Sequence, residues 1–417
     1  MPGQLHNQKV AVSVVFVAAM FMNIMDTTIV NVALPTIGRQ FHVAADSVDT
    51  VAIGYLVSLA VFIPVSGWLG DRLGPRRVLL GSIVVFTVAS ALCGLAQNPA
   101  QLVAFRVLQG VGGGMMVPVG MALLFRTFPP EERVRASSIL VVPTAFAPAL
   151  GPVLGGLFVT ELSWRWVFYV NLPIGVAALA FGLVYLAPQP RQATGRLDVA
   201  GFVLSGAGLG LLMYGIAEGP FKGWGRPSIV GTIVAGAALL VAMVVVEMRS
   251  AAPLIDLRLF RDGLFRSSNI VMTLGAVSFL GVLFIVALFF QDGLGQSALG
   301  SGLSTFPEAV GVMIGAQVVT RRFYPTIGPR RTMTMGLLIL TVSLCLMSLI
   351  DTIGELWWMR LLLLVMGYGM AHVFTSAQAA GFATISGPDT AAASTLFNAL
   401  RQLGGAVGVA LLSTVVA

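Results

Sequence analysis

The stretch FMNIMDTTIVNVALPTI, Phe21 to Ile37, places one acid, Asp26, in an apolar run that begins near Val10 and meets no other charge before Arg39. A carboxylate inside a bilayer costs about 2.5–3.5 kcal/mol on insertion scales, so it needs a partner or a task, and the chemistry open to it is proton exchange or cation binding. Counted at 1.5 Å per residue, Asp26 lies about 24 Å into the first span. Arg106, early in the fourth span and running the other way, falls about 22 Å from the same boundary in a core about 30 Å thick, so the two can meet. Glu308 sits about 10 Å below the opposite boundary by the same count. Asn398, Arg401, Gln402 and Gly405 follow i, i+3, i+4, i+7 spacing and share one helix face. A polar cavity lined by Asp26, Asn31, Gln109, Glu308, Asn398, Arg401 and Gln402 is expected, with Asp26 facing it and Asp26 and Arg106 handling protons. A static ion pair that merely orders the bundle is the competing reading. Glu308 is expected to select cationic substrates and not to carry the coupling proton. Cys93 and Cys345 fall in apolar runs, which argues against a disulfide framework or metal site. No cofactor and no catalytic set is assigned, and the chain is not read as an enzyme.

The elements that must hold these residues are membrane helices. The 417 residues are 57% hydrophobic and 10% charged, against about 25% charged in soluble domains. Mean hydropathy is +0.92, which excludes a soluble core. Apolar runs of about 20 residues recur thirteen times, enough for thirteen crossings. The first is read as a helix and not a cleaved signal, because it lacks a small-residue cleavage site and many similar runs follow. Gly74-Pro75-Arg76-Arg77, after the second span, returns as Gly328-Pro329-Arg330-Arg331 after the tenth, an offset of 254 residues. The same offset carries Arg106 onto Arg360, so the chain reads as two parallel repeats. The expected division is a six-helix half over 1–190, an inserted pair of spans over 191–250, a cytoplasmic amphipathic linker over 251–267, and a second half over 268–417. Five of six helices are present in that second half. The partner of the sixth span would lie near 421–441, so the chain is expected to lack a fourteenth helix.

Most of the 24 Lys and Arg lie in alternate connecting segments, while the others hold only Arg39, Arg165, Lys222 and Arg226. By the positive-inside rule the N-terminus is cytoplasmic and the protein a multi-pass protein of the inner or plasma membrane. The basic pI near 10 is therefore a matter of membrane side and not of nucleic acid. A basic amphipathic stretch, Pro253 to Phe265, is placed in the membrane interface, and Trp164 and Trp166 in an aromatic belt.

Gly67-Trp-Leu-Gly-Asp71-Arg72-Leu-Gly74-Pro-Arg76-Arg77 joins glycines, an acid and three cations in one tight turn. A solvated loop explains the arginines, but Asp71 wants a partner. It is expected beside the start of the last span, where Asp389 and Thr390 can cap a helix. Arg106-Val-Leu-Gln109-Gly110-Val-Gly-Gly113-Gly follows no strand, so its glycines serve helix packing and not a phosphate. In the fifth span Gly151-Pro152-Val-Leu-Gly155-Gly156 combines a helix-bending proline with small residues four apart, a groove for a close neighbour. Its repeat partners are Gly405, Ala406 and Val409, so the proline belongs to one half alone.

These stretches, with Met25 to Pro35 and with Trp164 to Gly175, resemble the fourteen-helix drug:proton antiporter branch of the major facilitator superfamily. The resemblance covers the whole chain and implies an all-α integral membrane protein of the major facilitator fold. Its implied function is a proton-coupled antiporter that exports amphipathic drugs, antibiotics and dyes by alternating access, and so confers multidrug and antibiotic resistance. Gly67, Asp71, Arg72, Gly74, Arg76 and Arg77 correspond to a cytoplasmic gate motif, and Gly151, Pro152, Gly155 and Gly156 to an antiporter motif. The partners expected are a lipophilic substrate, cationic or neutral, protons and the bilayer, with the chain a monomer. Export of a lipid or an endogenous metabolite, proton-coupled import, and a sensor that binds without translocating are the alternatives.

Overall fold

The computed structural model describes residues 2–43, 45–192, 194–250, 253–350 and 356–416. Residue 251, a boundary of the expected linker, lies outside them. The described chain is helical, with no strand. Its first half comprises α1 (Pro2–Phe41), α2 (Ala45–Leu73), α3 (Pro75–Leu95), α4 (Pro99–Thr127), α5 (Arg133–Glu161), the short α6 (Trp166–Tyr169) and α7 (Asn171–Tyr185). Then come α8 (Val199–Lys222) and α9 (Pro227–Arg249), followed by α10 (Gly263–Leu288), α11 (Ala298–Val318), α12 (Tyr324–Met347), α13 (Leu356–Gly381) and α14 (Thr390–Val416). Helix starts are written locally: Asn98 accepts from the N–H of Gln101 with Pro99 next to it, and Asp198 and Ser297 accept from Gly201 and Gly300. Asp262 accepts from Leu264 and Phe265, and these amides hold its carboxyl below the usual range.

Twelve helical stretches among the described residues are long and apolar enough to cross a membrane, one fewer than expected. The difference lies in Leu299–Met347, whose 49 residues form one stretch. At 1.5 Å per residue it would run about 74 Å, more than twice a hydrocarbon core. Gly328, with φ 78 and ψ 170, breaks it. Gly74 has φ 93 and ψ 131 in the equivalent turn. Both Gly-Pro-Arg-Arg turns therefore use a backbone conformation that a side chain would strain, followed by a proline suited to a first helical turn.

The packing repeats as the sequence does. α1 lies on α5 as α10 lies on α14, and α4 takes α2 and α3 as α13 takes α11 and α12. The halves meet in matching pairs, α2 with α14 and α5 with α11. The inserted α8 lies on α2 and α14, and α9 packs mainly on α8. Arg72, Arg76, Arg77, Arg126 and Arg133 gather at one end of the bundle, called here the basic face. Two expectations change. Leu254 and Ile255 are buried, so part of the apolar side of the 253–265 stretch, which folds around a 3-10 turn at Leu257–Arg261, is turned to protein. Trp164 is buried, its indole N–H donating to Gln40, while Trp166 is exposed. Only the second is free to join an aromatic belt.

The glycines of the fifth span differ in what surrounds them. A Cβ at Gly151 would lie 2.0 Å from Thr28 Oγ1, and one at Gly155 would lie 3.1 Å from the Ile29 carbonyl, whereas Gly156 has nothing within 4 Å. Gly151→Ala should lower stability by about 1–3 kcal/mol through forced separation of α1 and α5. Gly156→Ala should be neutral or stabilising by up to about 1 kcal/mol. Thermal unfolding of the two purified variants checks this, and equal melting points would contradict the α1–α5 contact as the reason for the glycine.

Candidate functional site

Asp26 is fully buried in α1 and meets three hydrogen-bond donors of the first half. Arg106 Nη1 donates to its Oδ2, while Gln109 Nε2 donates to Oδ1 at 2.9 Å and Asn171 Nδ2 at 3.3 Å. Ser90 Oγ, on α3, accepts from Gln109 at 3.2 Å and from Asn171 at 3.1 Å. Arg106 also donates through Nε to the Val51 carbonyl at 3.3 Å and through Nη1 to Gln109 Oε1 at 2.8 Å. Its guanidinium lies over Tyr55, 4.1 Å from the ring centroid, with Phe168 on another side. A buried pair persists only where the remaining hydrogen-bonding capacity is met, and here a carboxylate has three donors and a guanidinium two further acceptors and an aromatic face. Glycines let the helices close on this centre: a Cβ at Gly113 would stand 2.7 Å from Asn23 Nδ2 and 2.9 Å from the Tyr55 hydroxyl.

Equal depth, counted from the sequence, thus becomes contact. The expected direction does not hold, because every polar partner of Asp26 belongs to the first half and none to the seam between halves. Counting residues along a helix gives height, whereas the donors available around it decide which way an acid points. Asn171, Ser90 and Tyr55 were not singled out in the sequence. The signal for Asn171 is an amide inside Val-Asn-Leu-Pro, an otherwise apolar helix start.

The other candidates do not converge on Asp26. Gln109 joins its network, but Asn31 is exposed on α1. Glu308 is buried in α11 with Oε1 lacking a partner, where α11 and α13 cross so closely that a Cβ at Gly367 would lie 2.1 Å from the Glu308 carbonyl. Asn398 donates to Met121 Sδ at 3.4 Å and to the Ser394 carbonyl at 2.8 Å. Half-buried Arg401 has no hydrogen bond or ion pair with a described residue. Gln402 lines a small void, about 10 Å³, together with Ala60, Ile63, Leu209, Met213, Ala399 and Leu403. That is about the smallest volume a water molecule occupies. Among the described residues the polar cavity expected between the halves is not open.

At the basic face, Asp71 Oδ1 accepts from Arg126 Nη2 at 2.7 Å, and Arg126 donates onward to the carbonyls of Gly387 and Pro388 at 3.2 and 3.4 Å. Asp71 therefore reaches the start of α14 through an arginine of α4. Asp389 and Thr390 are engaged elsewhere: Ser386 Oγ donates to Asp389 Oδ2, and the Thr390 hydroxyl donates to the Ser386 carbonyl. Gly67 admits the close approach of α14, since a Cβ there would lie 2.7 Å from Thr395 Oγ1. The arginines of the turn face different ways: Arg72 lies over Trp68, and Arg76 donates to the Leu183 carbonyl. Among the described residues no group of three or more His, Cys, Asp or Glu is placed to hold a metal.

Known proteins place this architecture. The chain is 31% identical over 404 residues to the multidrug resistance protein B homolog of Mycobacterium tuberculosis, covering 96% of this chain and 74% of that one. It is 34% identical over 412 residues to the tetracenomycin C resistance and export protein of Streptomyces glaucescens, covering 98% and 75%. Among solved structures, the human organic anion transporter MFSD10 superposes with a TM-score of 0.69 at 16% identity, covering 99% of this chain and 93% of that one. The proton:xylose symporter XylE superposes at 0.63 and 13% identity, covering 97% and 87%. Residues 16–409 match the family model described as Major Facilitator Superfamily. The chain is a multi-pass membrane transporter that belongs to the Major Facilitator Superfamily.

Proposed function

We propose that the protein is a proton-coupled antiporter that exports amphipathic small molecules, cationic or neutral, by alternating access. The observation that carries this reading is the fully buried Asp26, held by Arg106, Gln109 and Asn171 within the bundle of spanning helices. The names of the relatives, resistance to several drugs in one case and export of an antibiotic in the other, support the direction and the substrate class. We assign the basic face to the cytoplasm on the positive-inside rule, so this conformation is closed toward the cytoplasm.

One helix then links the proton to the gate. α4 carries Arg106 beside Asp26 and, about 30 Å further along its axis, Arg126 in the tie to α14. Protonating Asp26 from outside removes the charge that holds Arg106, leaving its contacts with Val51 and Tyr55, and frees α4 to shift. Opening to the cytoplasm lets the proton leave and substrate enter. One inward proton at 100 mV supplies about 2.3 kcal/mol, a bias of about fiftyfold on a conformational equilibrium. No cofactor is required in this cycle.

Asp26→Asn keeps an amide able to bond Gln109 and Asn171 but cannot lose a proton. It should bind substrate within about threefold of wild type while losing uphill efflux and substrate-induced proton release. Arg106→Ala should impair both binding and efflux by leaving the carboxylate unpaired. Uphill efflux by Asp26→Asn with wild-type proton release would rule out this coupling, and measurement in proteoliposomes with an imposed pH gradient decides it.

Asp71→Asn should shift the protein toward the cytoplasm-open state, read as less cross-linking between cysteines placed on α2 and α14. An unchanged cross-linking yield would exclude the tie as a gate. Glu308, whose repeat counterpart is Gly54, has no partner for its Oε1. Glu308→Gln should reduce export of dications by about tenfold and of monocations or neutral molecules by about twofold or less. Equal losses across all charges would instead give Glu308 the coupling role.

A further inference from the structure

The α13–α14 connection is held by more than charge. Phe125, the residue before Arg126, stacks on Phe382 with ring centroids 4.3 Å apart and planes 9° from parallel. Phe397 and Phe265 close around Phe382 edge-on, at 5.5 and 6.4 Å. All four rings are buried, and they come from α4, α10, α14 and the connection itself. The stack joins the two halves.

One turn deeper into the membrane on the same helix faces lies a polar layer. Met121 is four residues before Phe125, and Gln378 four residues before Phe382. The Met121 thioether accepts from Asn398 Nδ2 at 3.4 Å and from Gln378 Nε2 at 3.9 Å. A thioether is a weak acceptor for two buried amides. Asn398 Oδ1, Ser394 Oγ and Thr375 Oγ1 are buried with no partner among the described residues. Ser394 and Thr375 are one turn from Asn398 and Gln378 on their own helices. Native structures leave few buried polar groups unpaired, and such groups call for an explanation in function.

We infer that these two layers form a binding station for planar, multi-ring aromatic molecules with hydrogen-bonding edges, and that Phe125 and Phe382 occupy each other's ring site while it is shut. The inference rests on the transport reading for its physiological use, but not for the binding itself. When the halves part at the basic face, α4 and the connection separate. Two parallel aromatic faces become free, and a flat guest between them replaces one stack with two. The amides and hydroxyls one turn deeper, poorly bonded in the shut state, meet the carbonyl or amino groups on the guest's edge. An aliphatic cation of similar charge gains nothing from either layer.

The test compares ethidium, a planar aromatic cation, with tetrabutylammonium, an aliphatic one, for binding to the purified full-length chain. Phe382→Leu and Phe125→Leu should each weaken ethidium binding about tenfold and leave tetrabutylammonium within about twofold, as expected when a stacking partner is lost. Phe382→Trp should retain ethidium binding, which separates ring chemistry from a folding defect should either leucine variant be unstable. Equal weakening of both cations, unchanged ethidium binding in the leucine variants, or loss of ethidium binding in a folded Phe382→Trp would each overturn the station. Ethidium that binds through Phe382 yet is not moved across proteoliposomes under a proton gradient would sink the transport reading and leave the station standing.

Discussion

The arrangement turns on one buried ion pair. Asp26 and Arg106 would each be expensive inside a bilayer alone, and together they persist because Gln109, Asn171, Val51 and Tyr55 take up what remains of their bonding capacity. To satisfy the pair, α1, α3, α4 and α7 must approach closely, which is why α4 carries glycine where its neighbours press hardest. A Cβ at Gly110 would lie 2.6 Å from Ser58 Cβ, and one at Gly112 2.7 Å from the Phe86 nitrogen. Local sequence, packing and charge therefore pull in one direction in this half. Neutralising the acid changes the least replaceable interaction in the set.

The second half keeps the scaffold and drops that chemistry. Arg360 stands where the repeat places Arg106, but it donates to Ser304 Oγ at 3.1 Å and lies over Trp357. The position matching Asp26 is Leu280. In place of the pair, this half holds an isolated buried acid, Glu308, and the unpaired hydroxyls and amides around α13 and α14. Among the described residues Arg360 is partnered by an aromatic face and a hydroxyl near its end of the helix. Two repeats of one backbone thus differ in chemistry: the first holds a buried, well-bonded ion pair, and the second, among the described residues, holds polar groups whose bonding is incomplete.

How much of this was legible follows from what a helix fixes. Rise per residue is constant, so the depths of Asp26 and Arg106, the repeat and its Gly-Pro-Arg-Arg turns could be read directly. Azimuth is not fixed by rise, so Asp26 was assigned to the seam between halves although it turns into the first half. Asp71, expected beside the start of α14, reaches it through Arg126, an arginine hidden in the sequence among those that membrane side alone explains. The chain has 25 phenylalanines, most of them in apolar runs, so nothing in the sequence set Phe125 or Phe382 apart. Their stack exists only once two distant segments meet.

The inserted pair shows how the same constraint reaches the periphery. α8 bridges the halves, with Gly206 and Gly210 against Val61 of α2, and Phe202 edge-on to Phe62 at 6.1 Å. Toward α14 its hold is looser. The void of about 10 Å³ lies where Leu209 and Met213 of α8 meet Ala60 and Ile63 of α2 and Ala399, Gln402 and Leu403 of α14. Among the described residues the direct bond on that side is one hydrogen bond from the turn after α8, Trp224 Nε1 to Thr414 Oγ1 at 2.8 Å, at the end away from the basic face. Dispersion falls steeply with separation, so a continuous ridge against glycines outlasts a gapped contact when two bodies part. An insert packed in this way is held mainly by α2 of the first half and more loosely by α14.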